Sequence, residues 1–280
     1  MTKRRRFVQC DVFSETPFKG NALAVVVDGD GLSDNEMQCF ARWTNLAETT
    51  FLLTPEVEDA DYKVRIFTPV REMPFAGHPT LGSSMVWLRS GGMPKNPERI
   101  RQQCNIGVID IDLTSGKPAF AAPETSVEQM HPDERRRISA RMGLPSALIL
   151  NAVTLNNGPV WQVFELPSAQ DVLAVDAQKV SWPEFQAIGL IGKSDPAAPS
   201  DFEVRMLAPS SGMSEDPITG SLNAALARWL QSTGCLPDTL KVSQGRAIQR
   251  DGLVNIRLDK DGCVWVGGDV HVLIEGTVWI

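Results

Sequence analysis

The chain is poor in the residues from which metal and cofactor sites are usually built. Its 280 residues include three histidines, one tyrosine and five cysteines. No H-x-x-x-H or histidine–carboxylate cluster occurs, so no metal is expected. The cysteines (Cys10, Cys39, Cys104, Cys235, Cys263) are odd in number and never form C-x-x-C. They fit neither a disulfide framework nor a zinc site, and free thiols suit a reducing compartment. G-x-G-x-x-G and G-x-x-x-x-G-K-[ST] are both missing, which leaves a nucleotide cofactor without a cradle, and no cofactor is expected. Positive charge is also scarce: the formal net charge is -7 and the pI near 5.1, which argues against nucleic acid or an anionic membrane as partner. No apolar run approaches the length of a membrane span. The one basic run, Lys3 to Arg6, precedes "FVQCDVFSETPFKG", which is no signal-peptide core. That run reads as a solvated flank of the first strand, and a soluble, cytoplasmic protein is expected. Any chemistry then falls to side chains.

What the chain does have is a repeat. Hydrophobic residues make up 42% of it, enough for one large domain or two of half the length. "VRIFTP" (Val64 to Pro69) recurs 140 positions later as "VRMLAP" (Val204 to Pro209). "PFAGHPTLGSSMVWL" then parallels "PITGSLNAALARWL", matching Gly77 with Gly220, His78 with Ser221 and, across small gaps, Trp87 with Trp229. "VIDIDL" and "VNIRL" follow in the same order, each after a glutamine-containing segment. Three matches in one order indicate two homologous halves. The expected division is 1–120 and 121–280, with strands exchanged at the ends and a charged linker helix at about 123–146.

Each half reads strand, strand, helix, strand. Ser33 and Glu36 form a capping box ahead of Met37, Phe40 and Ala41 at helical spacing. "ETTFLLTP" and "YKVRIFTP" are strands closed by proline. Pro79 suits the first turn of the helix that carries "SSMVWL", and Ser221 is the expected N-cap of its counterpart. Strand-rich halves that each hold an apolar helix suggest barrel-like sheets wrapped round a central helix.

The repeat places Gly77-His78 and Gly220-Ser221 at two equivalent helix N-termini. If the halves face each other about a pseudo-twofold, free N–H groups and positive dipole ends converge on one cleft, and a carboxylate is the natural guest. Glycine lets the backbone approach such a ligand. A Gly-His or Gly-Ser pair also serves as a plain cap, and it is the second copy that favours a site. Four carboxylates lie near these motifs: Glu48, Glu72, Glu215 and Asp216. Glu48 sits where a helix gives way to a strand, among apolar neighbours that would raise its pKa and suit it to proton transfer. A solvated helix-end glutamate is the alternative reading, and Asp216 before Pro217 could be a turn former.

"DVFSETPFKGNALAVV", "NLAETTF", "RIFTPVREMPFAGHPTLG", "APSSGMSEDPITGS" and "GGDVHVLIEGTVWI" together resemble the PhzF family of phenazine-biosynthesis-type isomerases. The resemblance runs in order over nearly the whole chain. It implies an α+β, diaminopimelate epimerase-like fold with two pseudo-symmetric halves. It also implies that Glu48 is the acid/base and that His78 contacts substrate. Asp216 would bind the substrate's polar groups, with Gly77, Gly220 and Ser221 as further substrate-binding positions. The racemase relatives place a cysteine at each helix N-terminus. Here those positions hold His78 and Ser221, and a serine hydroxyl is too weak an acid to replace a thiol. The two-cysteine epimerase mechanism is therefore disfavoured. Ala47 departs from the serine commonly found beside the glutamate, which leaves the substrate open.

The expected function is a cofactor-independent isomerase or epimerase that acts through Glu48 on a small amino- or hydroxy-acid. The alternatives are a binding protein without turnover and a lyase or hydratase of a β-hydroxy acid. The resemblance implies a homodimer, and the expected binding partner is a small-molecule carboxylate substrate.

Overall fold

The computed structural model describes residues 2–177, 186–208 and 214–280. Pro209, the end of the second repeat copy, and the Pro209–Met213 part of "APSSGMSEDPITGS" lie outside the described residues. The chain forms two compact units, Met1–Ala121 with Gly267–Ile280, and Ala122–Val266.

The first unit runs β1 (Arg4–Val12), β2 (Asn21–Val26), α1 (Asp34–Thr44), β3 (Glu48–Leu53), β4 (Tyr62–Phe67), β5 (Glu72–Met73), α2 (Gly77–Arg89), β6 (Arg99–Cys104), β7 (Gly107–Asp112) and β8 (Ala119–Ala121). The second runs β9 (Ser126–Gln129), α3 (Pro132–Arg141), β10 (Asn151–Asn156), β11 (Val160–Leu166), α4 (Ala169–Ala174), β12 (Ile188–Lys193), β13 (Phe202–Leu207), β14 (Glu215–Asp216), α5 (Gly220–Ser232), β15 (Thr239–Gln244), β16 (Gly252–Leu258) and β17 (Val264–Gly267). The last strand, β18 (Val270–Trp279), pairs antiparallel with β1 and belongs to the first unit.

Among the described residues the two units repeat one order of elements and one pattern of pairing. In the first, β1–β2 is antiparallel, β2–β3 parallel, β3–β4 antiparallel, β4–β6 parallel and β6–β7 antiparallel. In the second, β10–β11, β11–β12, β12–β13, β13–β15 and β15–β16 alternate in the same way. Parallel neighbours need a crossover, and a helix supplies each one: α1 and α2 in the first unit, α4 and α5 in the second. The duplication read from the sequence is therefore present in the topology. Each copy holds more strands than "strand, strand, helix, strand", because two-residue pairings such as β5 and β14 leave no alternation to read.

The helices α2 and α5 are each 13 residues long and buried along most of their length. A helix buried on all sides must be enclosed rather than laid on a surface. α2 touches β1, β2, β3, β4, β6, β8 and β18, so the first unit's sheet curls round it, and α5 touches both β10 and β16 of its own sheet. Leu81 and Leu222, both wholly buried on these helices, each contribute about 2 kcal/mol of apolar burial. Gly82 marks a close approach of α2 to its strands. A Cβ there would lie 2.5 Å from Leu23 Cδ2 and 3.0 Å from Cys10 Sγ.

Three local expectations change. Aligned without gaps from Gly77 and Gly220, the two helices pair Trp87 with Leu230 and Val86 with Trp229. The tryptophans are one position out of register, on different faces, and Trp87 stacks on Tyr62 with centroids 5.2 Å apart. The charged segment 123–146 begins with β9, and α3 covers only Pro132–Arg141 with Ile138 fully buried. In the basic run, Arg5 is buried because strand alternation turns it inward, where it donates to the carbonyls of Asp28 and Asp30. Elsewhere α1 begins with the expected capping box, Ser33 Oγ accepting from Glu36 N–H while the Glu36 carboxylate accepts from Ser33 N–H. No helix among the described residues is long and apolar enough to cross a membrane.

Candidate active site

In the first unit the structure brings together two of the residues singled out from the sequence. α1 ends at Asn45 in the left-handed region (φ 54°), and this turn delivers Glu48 as the first residue of β3. His78 is the second residue of α2, just after Gly77. Its Nε2 stands 3.4 Å from Glu48 Oε2, with side-chain exposures of 4% and 17%. On the other side of the ring, Nδ1 lies 3.3 Å from Asn21 Nδ2. Burial pushes the imidazole pKa down to about 3, because a charged ring would lose its hydration there. His78 is therefore neutral at pH 7.

The second unit gathers Asp216, Gly220 and Ser221. Thr219, not Ser221, is the N-cap of α5; the helix begins at Gly220 and Ser221 is its second residue. Both residue types cap well, and the choice is made by Thr219's partners. Its hydroxyl donates to Asp216 Oδ2 at 2.5 Å and accepts from Gln244 Nε2 at 3.0 Å. Gln244 also accepts from Thr219 N–H at 3.1 Å and Asn223 Nδ2 at 2.9 Å, and it donates to the Asp216 carbonyl at 3.3 Å. The Ser221 carbonyl accepts from Asn157 Nδ2 at 2.8 Å, and Trp161 Nε1 in turn fixes Asn157 at 2.9 Å.

Neither central helix has a side-chain cap. Ala76 precedes α2 and has no acceptor to offer, while Thr219's hydroxyl is directed to Asp216. Both helix starts thus present backbone donors and a positive dipole end that their own N-cap side chains do not occupy.

The other two candidate carboxylates have structural duties. Glu72 accepts from Arg65 Nε and NH2, and Glu215 from Arg205 Nε and NH2. Asn21, Thr219 and Gln244 escaped the reading of the sequence, although they stand in "KGNALAVV", "DPITGS" and the glutamine-containing segment before β16. The recurrence of that segment was the available signal. Among the described residues no group of three or more His, Cys, Asp and Glu is placed to hold a metal ion.

A family model described as "Phenazine biosynthesis-like protein" matches residues 10–277. The chain is 34% identical to antisense-enhancing sequence 1 of Schizosaccharomyces pombe, over 98% of each protein. It is 30% identical to the trans-2,3-dihydro-3-hydroxyanthranilate isomerase of Pseudomonas aeruginosa, over 98% of this chain and 99% of that one. Among solved structures, a PhzF-family phenazine biosynthesis protein of Bacillus anthracis superposes with a TM-score of 0.80 at 21% identity, covering 99% of this chain and 100% of the other. The two-unit fold is shared with that structure, and by sequence the chain belongs to the PhzC–PhzF family of phenazine-biosynthesis-like proteins.

Proposed function

We propose that the protein is an isomerase of a small amino- or hydroxy-acid, with Glu48 as the acid/base. The observation that carries this reading is the 3.4 Å approach of Glu48 Oε2 to Nε2 of a neutral, buried histidine at the start of α2. A carboxylate removes a proton from carbon only where the resulting negative charge can spread into the substrate, and it then returns the proton at a second carbon. A single base gives the proton back on the face from which it was taken. With Ser221 at the repeat position that matches His78 and no thiol in either motif, migration of the proton is favoured over inversion of a centre. Family membership and the P. aeruginosa relative named as an isomerase support the same reaction class.

In this reading Gly77, His78, Gly220 and Ser221 bind the substrate, the helix-start N–H groups taking its carboxylate. Asp216, aligned by Thr219, takes the cationic or hydroxyl end. Ala47 beside Glu48 makes the substrate a matter for assay. The test is solvent-deuterium incorporation followed by proton NMR over cyclic and linear amino- and hydroxy-acids, including dihydro-hydroxyanthranilate. Exchange into one compound, reduced about 10²–10⁴-fold in Glu48→Gln, is expected. Exchange that survives the substitution, or a ligand bound tightly without any exchange, overturns the proposal.

A further inference from the structure

Asn21 is the first residue of β2 and is itself buried, 57 positions before His78 in the chain. The amide nitrogen of asparagine carries only donors. With Asn21 Nδ2 facing His78 Nδ1 at 3.3 Å, Nδ1 must offer its lone pair, and in a neutral ring the proton then sits on Nε2. That is the nitrogen 3.4 Å from Glu48 Oε2. We propose that Asn21 is a positioning residue that locks His78 in its Nε2–H tautomer, so that Nε2 stands near Glu48 as a buried donor with no hydrogen-bond partner of its own among the described residues and proton acceptance is left to the carboxylate. The inference rests on the role given above to Glu48 and deepens it. His78 has no lone pair left to act as a second base, because Asn21 occupies Nδ1 and the proton occupies Nε2. A backbone carbonyl or a carboxylate in place of Asn21 would reverse the ring, as it does wherever a second partner sets a histidine's tautomer.

The tautomer can be read without any substrate. In a protein with three histidines, long-range ¹H–¹⁵N correlation spectra of the rings distinguish Nδ1–H, Nε2–H and imidazolium, and a His131→Gln/His271→Gln double variant isolates the His78 signals. The Nε2–H pattern is expected for His78 at pH 7. Asn21→Leu, which cannot donate, should shift it to an average of the two tautomers, and Asn21→Asp should replace it by Nδ1–H or imidazolium. An Nδ1–H ring in the otherwise native protein overturns the proposal even if no Asn21 variant folds. An unchanged Nε2–H pattern in Asn21→Leu overturns it as well. Glu48→Gln exchange measurements fail or succeed separately, so loss of the isomerase reading and loss of the tautomer assignment are distinguishable.

Discussion

Arg205 and Glu215 face each other in a two-pronged ion pair, with Nε and NH2 3.0 and 2.6 Å from the two carboxylate oxygens and both side chains almost wholly buried. NH1 of the same arginine donates to the carbonyls of Val172 and Val175, the end of α4. Arg65 and Glu72 repeat the pair at 2.8 and 2.6 Å in the first unit, but with 18% and 26% of the side chains exposed. Removing one partner of a fully buried pair strands a charge, whereas water reaches a half-buried pair and screens the loss. Arg205→Met should therefore cost about 3–5 kcal/mol in urea unfolding, and Arg65→Met about 1 kcal/mol or less. Equal losses would mean that burial does not distinguish the two copies.

His78 makes stability depend on pH. Its ring titrates near 6.5 when unfolded and near 3 when folded, so between those values the unfolded chain holds the extra proton. Stability from this group is complete above about 6.5 and is lost as the pH falls towards 3. From pH 7 to pH 5 the loss attributable to His78 is about 2 kcal/mol. His78→Asn should flatten the urea-midpoint profile over that range by this amount, whatever its offset at pH 7.

Thr219 holds the Asp216 carboxylate through its hydroxyl. Thr219→Val keeps the shape and removes that donor, and it should raise KM about 10-fold, the worth of one charge-assisted hydrogen bond, with little change in kcat. Thr219→Ser should restore KM. A fall in kcat with KM unchanged would assign Asp216 to the chemistry instead of to binding.

Gly82 and Gly276 form a matched pair of tests. Gly82→Ala drives a methyl into Leu23 and Cys10, whereas nothing lies within 4 Å of a Cβ at Gly276. Thermal unfolding should show Gly82→Ala destabilised by about 1–3 kcal/mol and Gly276→Ala within about 0.5 kcal/mol of the parent protein.

The features legible in the sequence were those written in adjacent residues. The capping box at Ser33, the glycines that start α2 and α5, and the helix-to-strand turn ahead of Glu48 each depend on neighbours a few positions away. The positions misread depend on distant partners. Ser221 and Thr219 are both good caps, and Gln244, 25 positions further on, favours Thr219. Asn21 reads as one polar residue at a strand start until β2 brings it against His78. Arg5 looks solvated until β1 turns it towards the Asp28 and Asp30 carbonyls. The six-residue α4 carries too few turns for its period to show.

The placement of β18 beside β1 has a consequence for the order of synthesis. Nine positions of β1 pair with a strand that leaves the ribosome only after the whole of Ala122–Val266 has been made. At about 5–20 residues per second that interval lasts roughly 7–30 s. The second unit is contiguous and can close as soon as it emerges. The first, although begun earlier, waits with the outer edge of β1 open and is finished last. A nascent chain stalled before Val270 should therefore expose that edge to any chaperone or extended peptide that pairs with strands.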